Sequence, residues 1–170
     1  PTSFLSRWAT FVAERFPPAA HVTMATAFFA GNWLVARAVV LPGEAPDPLA
    51  LACGWLATLL IFLRLRIFDE IKDWRTDREL HPERPLARGL ISPREAGWTA
   101  AAIAVAEGAL ILRQGGPVIT AWLLVLGFSL LMFREFYIGE WLRPKMELYA
   151  VTHTLVAAWL GLLIACLATG

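Results

Sequence analysis

Residues 68–78 form the most polar stretch of the chain, and four carboxylates recur along it: Asp69, Glu70, Asp73 and Asp77. If the preceding apolar segment continues as a helix, turning about 100° per residue, these side chains lie within an arc of about 100°. Crowded carboxylates repel one another, and a divalent cation relieves the repulsion. Because Mg²⁺ binds one or two carboxylates and completes its shell with water and phosphate oxygens, the stretch predicts a site for Mg²⁺ and a diphosphate.

A solvated helix end explains the same residues without any ligand. Basic side chains occupy the opposite arc of the helix, namely Lys72, Arg75 and Arg78. Exposed pairs such as Asp69 with Lys72 would stabilise such an end by only about a few tenths of a kcal/mol. Asp73 could pair with Arg66 in the same way. Spacing alone leaves both interpretations open.

The segment after the acidic stretch predicts a stiff loop that leads into a new helix. Pro82 and Pro85 end the preceding helix. Ser92 is a favourable N-cap, since Pro93 follows at the first helical position and Glu95 stands three residues after the cap. We therefore expect the next helix to begin at Pro93.

The acidic stretch and its loop together resemble the first signature of the UbiA superfamily of intramembrane prenyltransferases. That signature is Asn-Asp-x-x-Asp-x-x-x-Asp, followed by a loop that contains Arg-Pro-Leu and Gly-x-Ile-Ser. The matching residues here are Asp69-Glu70-x-x-Asp73-x-x-x-Asp77, Arg84-Pro85-Leu86 and Gly89-Leu90-Ile91-Ser92. Asp69 and Glu70 stand where Asn and Asp are usual, and both keep an oxygen ligand for Mg²⁺.

The resemblance implies a Mg²⁺-dependent transfer of a prenyl group from a prenyl diphosphate to a lipophilic acceptor. The Mg²⁺ ligands that it implies are Asp69, Asp73 and Asp77. Glu70 would support them, and Arg84 and Arg88 would meet the diphosphate. The prenyl tail would enter between the apolar walls of the bundle. Quinone precursors, haem, chlorophyllide and lipid alcohols all remain open as acceptors.

In the same family, the segment around residues 134–149 lines the cytoplasmic side of the cavity. The resemblance therefore implies that Tyr137 and Arg143 touch the diphosphate or the acceptor. An interfacial belt of aromatic and charged anchors also explains these residues. Both interpretations remain open.

Family members have nine transmembrane helices and a second acidic motif, Asp-x-x-x-Asp, after the sixth. This chain matches the first five helices and has no Asp beyond Asp77. Glu135 and Glu140 could replace that motif only poorly, because five residues on a helix place them about 140° apart. Two expectations follow. The chain is part of a longer enzyme, or it is a shortened, non-catalytic subunit that packs against other membrane subunits and holds pigment or quinone.

The composition is that of a membrane protein, with 58% hydrophobic and only 17% charged residues, where a soluble domain carries about a quarter charged. A formal net charge of +1 provides no basic field for nucleic acid. Five apolar stretches approach the length of about 20 residues that a membrane helix needs. They cover residues 20–41, 49–68, 96–112, 117–133 and 148–168, and the acidic motif and its loop cover 69–93.

Basic residues orient the chain in the membrane. Of its 15 Lys and Arg, all but Arg37 and Arg113 lie before the first span, in the connections after the second and fourth spans, or, for Arg64 and Arg66, at the end of the second span. The positive-inside rule therefore places the N-terminus in the cytoplasm and the C-terminus outside. The predicted fold is an all-α bundle of five transmembrane helices in a bacterial cytoplasmic membrane. An amphipathic helix lying on the membrane is predicted before Pro17, with its apolar side formed by Phe4, Leu5, Trp8, Phe11 and Val12.

Three further polar residues fall within or beside the predicted spans. Glu107 lies inside the third span, where an unpaired charge costs about 2.5–3.5 kcal/mol. We therefore expect it to snorkel or to hydrogen-bond to a neighbouring helix. His21 and His153 lie near the cytoplasmic ends of the first and fifth spans, where hydrogen bonding is favoured over binding of a metal or pigment.

Overall fold

The structure is a computed structural model that describes residues 3–170, and all of its regular elements in that range are helical. The α-helices are α1 Phe4–Arg15, α2 Pro18–Val40, α3 Pro48–Leu80, α4 Pro93–Ile111, α5 Gly116–Phe133, α6 Gly139–Leu142 and α7 Met146–Thr169. A 3₁₀ turn, Glu135–Tyr137, joins α5 to α6. Each of the five predicted apolar stretches overlaps one of the five longest helices, and α3 extends well beyond its stretch, to Leu80.

Short polar side chains and prolines determine where the helices begin. Ser92 caps α4, because its hydroxyl accepts a hydrogen bond of 3.1 Å from the backbone N–H of Glu95, and Pro93 occupies the first turn. This predicted cap is confirmed. Asp47 caps α3 in the same way, accepting a 3.0 Å bond from the N–H of Leu49.

Four helices of the described chain are long and apolar enough to cross a membrane, namely α2, α3, α5 and α7. The protein is therefore an all-α integral membrane bundle. The third predicted span, α4, does not belong to that group. Its apolar residues are largely alanines, and it also carries Glu107. A crossing by α4 thus stays a prediction.

Helix α3 is continuous from the membrane into the acidic stretch. Its 33 residues correspond to a length of about 50 Å, whereas the hydrocarbon core of a bilayer is about 30 Å thick. The last turns of α3 must therefore project beyond the apolar part of the bundle. The prediction that the acidic stretch continues the second apolar segment as a helix is confirmed.

Two apolar cores hold the helices together. The larger core joins α2, α3, α5 and α7, and its buried members include Trp33, Ile61, Val125 and Leu163. The smaller core joins α1, the end of α3, the loop after α3 and the start of α4. Phe11 of α1 lies at its centre and is fully buried.

A network of buried polar side chains ties α3, α4 and α5 together. Arg64 donates from Nε to Glu107 Oε1 over 2.8 Å and from Nη1 to Ser129 Oγ over 2.7 Å. The Trp122 indole donates to the second oxygen of Glu107 over 3.2 Å. The side chains of Arg64 and Glu107 are wholly inaccessible to solvent. The network therefore pairs a buried charge with its opposite inside the apolar bundle.

This network bears on the sequence-based expectations for Glu107 and Arg64. Glu107 bonds to neighbouring helices and does not snorkel, so the second of the two expectations for it is confirmed. Arg64 was counted with the basic residues of the cytoplasmic side, but it is not a surface charge. Its guanidinium is buried because Glu107 and Ser129 supply partners that lie far away in the sequence.

Helix α1 was predicted to lie on the membrane, but in the structure it also packs against the rest of the protein. Phe11 is buried in the smaller core, and Arg7 and Trp8 both donate to Glu95, over 2.6 and 3.1 Å. Phe4, from the same predicted apolar side, remains about half exposed. Only part of that side is therefore left for contact with lipid.

Removing one partner of the buried pair should destabilise the bundle severely. We expect Glu107→Ala to lower the free energy of unfolding by about 3–5 kcal/mol, because it leaves the Arg64 guanidinium buried without its counter-charge. The joint replacement Arg64→Met with Glu107→Met should restore most of the loss. Denaturation in mixed micelles, followed by circular dichroism, measures both effects. Glu44→Ala, in the exposed loop before α3, is the control, and equal unfolding of Glu107→Ala and wild type would contradict this expectation.

Candidate functional site

The four carboxylates of the acidic motif separate into two pairs with different surroundings. Glu70 and Asp77 are buried, with 2% and 4% of their surface exposed. Asp69 is half-buried and Asp73 is exposed. The motif therefore does not present a single row of free carboxylates.

Glu70 is neutralised by two arginines. Its Oε1 accepts from Arg15 Nε of α1 over 2.7 Å and lies 2.8 Å from Arg66 Nη2, one turn earlier on α3. Its second oxygen is buried and has no hydrogen-bond partner among residues 3–170. Arg66 thus pairs with Glu70, and the suggested pairing of Arg66 with Asp73 is wrong.

Asp77 fastens the loop after α3 to the helix. Its Oδ1 accepts a 2.7 Å bond from Arg84 Nη1, and this bond holds the pKa of Arg84 above its ordinary value. The Trp74 indole also donates to the carbonyl of Leu86 over 3.2 Å. The loop is therefore anchored at two points on α3.

Arg88 is paired on the far side of the same loop. Both of its terminal nitrogens lie 2.9 Å from the carboxylate oxygens of Glu14 in α1. That fork raises the pKa of Arg88 and lowers the pKa of Glu14. Arg84 and Arg88, the two predicted diphosphate contacts in the loop, are thus both engaged by carboxylates.

A cleft of about 290 Å³ opens between the end of α3 and the segment that precedes α7. It is lined by Lys72, Asp73, Thr76, Glu135, Arg143, Met146 and Tyr149. Lys72 Nζ donates to the Tyr149 hydroxyl over 2.9 Å and lies 3.7 Å from Asp69 Oδ1. Within residues 3–170, no hydrogen bond or ion pair engages the Asp73 carboxylate. The cleft therefore combines the free Asp73 carboxylate with Lys72 and with Arg143, which is paired with the Glu135 carboxylate.

The far wall of the cleft is a tightly bent turn. Glu135, Phe136 and Tyr137 have φ angles of 49°, 55° and 59°, a left-handed conformation that costs about 1–2 kcal/mol per residue. Arg143 Nε lies 2.9 Å from Glu135 Oε2 and holds the turn closed. A Cβ on Gly139 would overlap that carboxylate, so a larger residue at this position would displace the Glu135 side chain.

The structure brings some predicted site residues together and separates others. Asp73 and Arg143 line the cleft, and Asp69 lies one turn before Asp73 on α3. Tyr137 is 76% exposed and is not part of the lining. The lining also contains Lys72 and Tyr149. From the sequence, Lys72 was predicted to lie on a basic helix face, and Tyr149 lies in the segment that could form an interfacial belt.

Oxygen ligands suited to Mg²⁺ are present at the cleft. Within the described part of the chain, no three His, Cys, Asp or Glu side chains form a metal-binding group. Mg²⁺ needs only one or two carboxylates, however, when substrate phosphates and water complete its shell. Asp69 and Asp73 provide this pair, and Asp73 is unpaired, so the residues fit the ion.

Comparison with known proteins identifies the family to which the chain belongs. Residues 26–170 match the model of the UbiA prenyltransferase family, while α1 precedes the matched segment. No curated protein and no solved structure matches the chain. Because the match covers most of the sequence, the chain belongs to the UbiA prenyltransferase family.

Proposed function

We propose that this protein transfers a prenyl group from a prenyl diphosphate to a lipophilic acceptor, with Mg²⁺ bound by Asp69 and Asp73. The observation that carries the proposal is the unpaired Asp73 carboxylate in one cleft with Lys72 and Arg143. When Mg²⁺ binds a diphosphate, the metal needs carboxylate oxygens from the protein, and the remaining diphosphate oxygens need cations. Membership of the UbiA family supports the same reaction.

In this proposal, the charge of each cleft residue determines which part of the substrate it binds. Lys72 and Arg143 would bind the terminal oxygens of the diphosphate, and the hydroxyls of Thr76 and Tyr149 would donate further hydrogen bonds. When bound, the metal stabilises the negative charge that develops on the departing diphosphate. The prenyl chain would lie along the apolar faces of α5 and α7, away from water. We place the reaction at the cytoplasmic face of a bacterial inner membrane, the side on which basic residues concentrate.

Asp77 and Glu70 take a different role in this proposal. Arg84 already neutralises Asp77, and Arg15 with Arg66 neutralises Glu70. These ion pairs would hold the shape of the site, while Asp69 and Asp73 bind the metal. Asp77 thus moves from the predicted metal ligands to the residues that anchor the loop.

A non-catalytic membrane subunit is the second candidate function. The observation that favours it is the engagement of Glu70 and Asp77 by arginines, which a purely structural helix end also explains. Such a subunit would copurify with other membrane chains in fixed stoichiometry. It would bind neither Mg²⁺ nor diphosphate at the cleft.

Substituting Asp73 should separate the two candidates. We expect Asp73→Asn in the native-length protein to reduce prenyl transfer by at least about 100-fold, because charge stabilisation at the leaving group is lost. Removal of Mg²⁺ by EDTA should have the same effect on the wild type. The assay follows radiolabelled geranylgeranyl diphosphate into lipophilic products with a panel of acceptors. Glu79→Gln, on the same helix outside the cleft lining, is the matched control, and wild-type transfer by Asp73→Asn would refute the proposal.

A cation in the cleft should determine affinity for diphosphate. We expect Lys72→Met to weaken binding of inorganic diphosphate in the presence of Mg²⁺ by about 10- to 100-fold, since a hydrogen bond to a charged group contributes about 1.5–3 kcal/mol. Isothermal titration calorimetry of the detergent-solubilised protein measures the dissociation constant. Arg75→Met removes a nearby exposed cation from outside the cleft and should leave that constant unchanged. Equal weakening by both variants would show a general charge effect and no specific site.

A further inference from the structure

His153 of α7 is held in one orientation by two contacts with Tyr149. Its Nδ1 lies 2.8 Å from the Tyr149 carbonyl oxygen, and the two rings stack with centroids 3.9 Å apart. The ring of Phe136 meets the imidazole edge-on at 6.0 Å. The imidazole is thus packed on two sides by aromatic rings.

The backbone contact determines which nitrogen of His153 carries the proton in the neutral ring. A carbonyl oxygen only accepts hydrogen bonds, so Nδ1 must donate, and Nε2 keeps an unshared electron pair. That Nε2 atom is buried and has no partner among residues 3–170. Because buried polar atoms in folded proteins are almost always paired, an unpaired basic nitrogen here calls for a ligand that donates a hydrogen bond.

His153 lies one helical turn beyond Tyr149, about 6 Å further into the bundle. Tyr149 lines the charged cleft, so His153 stands just behind the site where a diphosphate would bind. Charged groups around it are Lys72 and Asp69 of α3 and Glu135 of the turn before α6. Further along α5 and α7 the aromatic contacts continue from Phe136 to Phe128 and Trp159. The ring is therefore placed between the polar cleft and an aromatic, apolar wall.

We propose that His153 is a catalytic base in an acceptor subsite, and that the acceptor is a lipophilic molecule with a hydroxyl group. A hydroxyl donates a hydrogen bond to Nε2 and is neutral, so it can be lodged at this depth, unlike a protonated amine. The apolar remainder of the acceptor would lie against Phe136 and the rings beyond it. This inference rests on the prenyl transfer proposed above.

The step that follows balances in electrons and protons. The bond between C1 of the prenyl group and the diphosphate oxygen breaks, and both electrons leave with the diphosphate. An electron pair of the acceptor oxygen forms the new bond to C1, and the hydroxyl proton passes to Nε2 of His153. The imidazolium then returns this proton to water. The product is a prenyl ether.

Replacing His153 by Asn tests the base directly. The Asn amide can still donate to the Tyr149 carbonyl but has no atom at the Nε2 position. His21→Asn is the matched control, because His21 makes the same contact with a carbonyl four residues earlier, at 3.1 Å from Pro17, and stacks on Phe16 at 4.1 Å. The native-length protein in liposomes receives Mg²⁺, geranylgeranyl diphosphate and either dodecanol or 4-dodecylphenol, and ether formation is measured by mass spectrometry.

We expect His153→Asn to lower kcat by about 100-fold and His21→Asn to leave it unchanged. Wild-type activity should fall as the pH is lowered, because the imidazolium cannot accept a proton, and this acid limb should be lost in His153→Asn. Binding of a non-reactive thiolodiphosphate analogue should change by less than about twofold, which shows that the variant is folded. A second variant, His153→Gln, should keep the KM for the alcohol and lose kcat, since its amide oxygen accepts a hydrogen bond but not a proton.

The outcomes separate this inference from the proposed function. Transfer at the wild-type rate with an unchanged acid limb in both variants overturns the role of His153 and leaves prenyl transfer standing. Failure of the wild type to bind the thiolodiphosphate analogue with Mg²⁺ overturns prenyl transfer, and the inference falls with it. Ether formation that is lost only in the His153 variants supports both.

Discussion

The buried ion pair between Arg64 and Glu107 is the constraint on which the cleft depends. Both side chains are buried away from water, so the two helices that carry them must keep the register at which the groups meet. Ser129 extends this constraint to α5. Asp73 lies about 14 Å beyond Arg64 along α3, and Glu135 about 9 Å beyond Ser129 along the chain. Both walls of the cleft are therefore positioned from one network.

A second level of electrostatics decides which carboxylates are free. Four acidic groups on the end of one helix would raise one another's energy, and arginines from α1, α3 and the loop neutralise two of them. Glu70 is held by Arg15 and Arg66, and Asp77 is held by Arg84. What remains is a pair of carboxylates beside Lys72, a charge that suits Mg²⁺ and a diphosphate together. Since α1 precedes the segment that matches the family model, part of this neutralisation comes from outside the matched segment.

The sequence predicted the helices well because their limits are local events. Prolines, a capping serine and the loss of apolar residues are visible within a few positions, and the cap at Ser92 and the continuity of α3 were both confirmed. The pairing of the charges was not predictable in this way. Arg64 and Glu107 meet across two helices, and Arg15 reaches Glu70 from α1. A single sequence carries no signal that links such distant positions, so these ion pairs became visible only in the structure.

The candidate site was predictable to the same extent. The spacing along one helix was enough to predict that Asp69 and Asp73 lie close together. The opposite wall depends on a left-handed turn at Glu135–Tyr137, and this turn contains no glycine or asparagine that would have indicated a left-handed conformation. The sequence carries only a weak signal for the α7 side of the cleft. It is the four-residue interval between Tyr149 and His153, which places two rings on one face of a helix.

In the proposed reaction, this interval separates the leaving group from the acceptor by depth in the bundle. A leaving group with several negative charges must stay near cations and water, whereas an allylic cation survives only where water is kept away. Along α7 these two needs are met in sequence, since Tyr149 belongs to the charged cleft and His153 is packed between Tyr149 and Phe136. A proton acceptor placed nearer to the cleft would face diphosphate oxygens, which accept hydrogen bonds and offer it no proton. One placed deeper would have no route for its proton back to water.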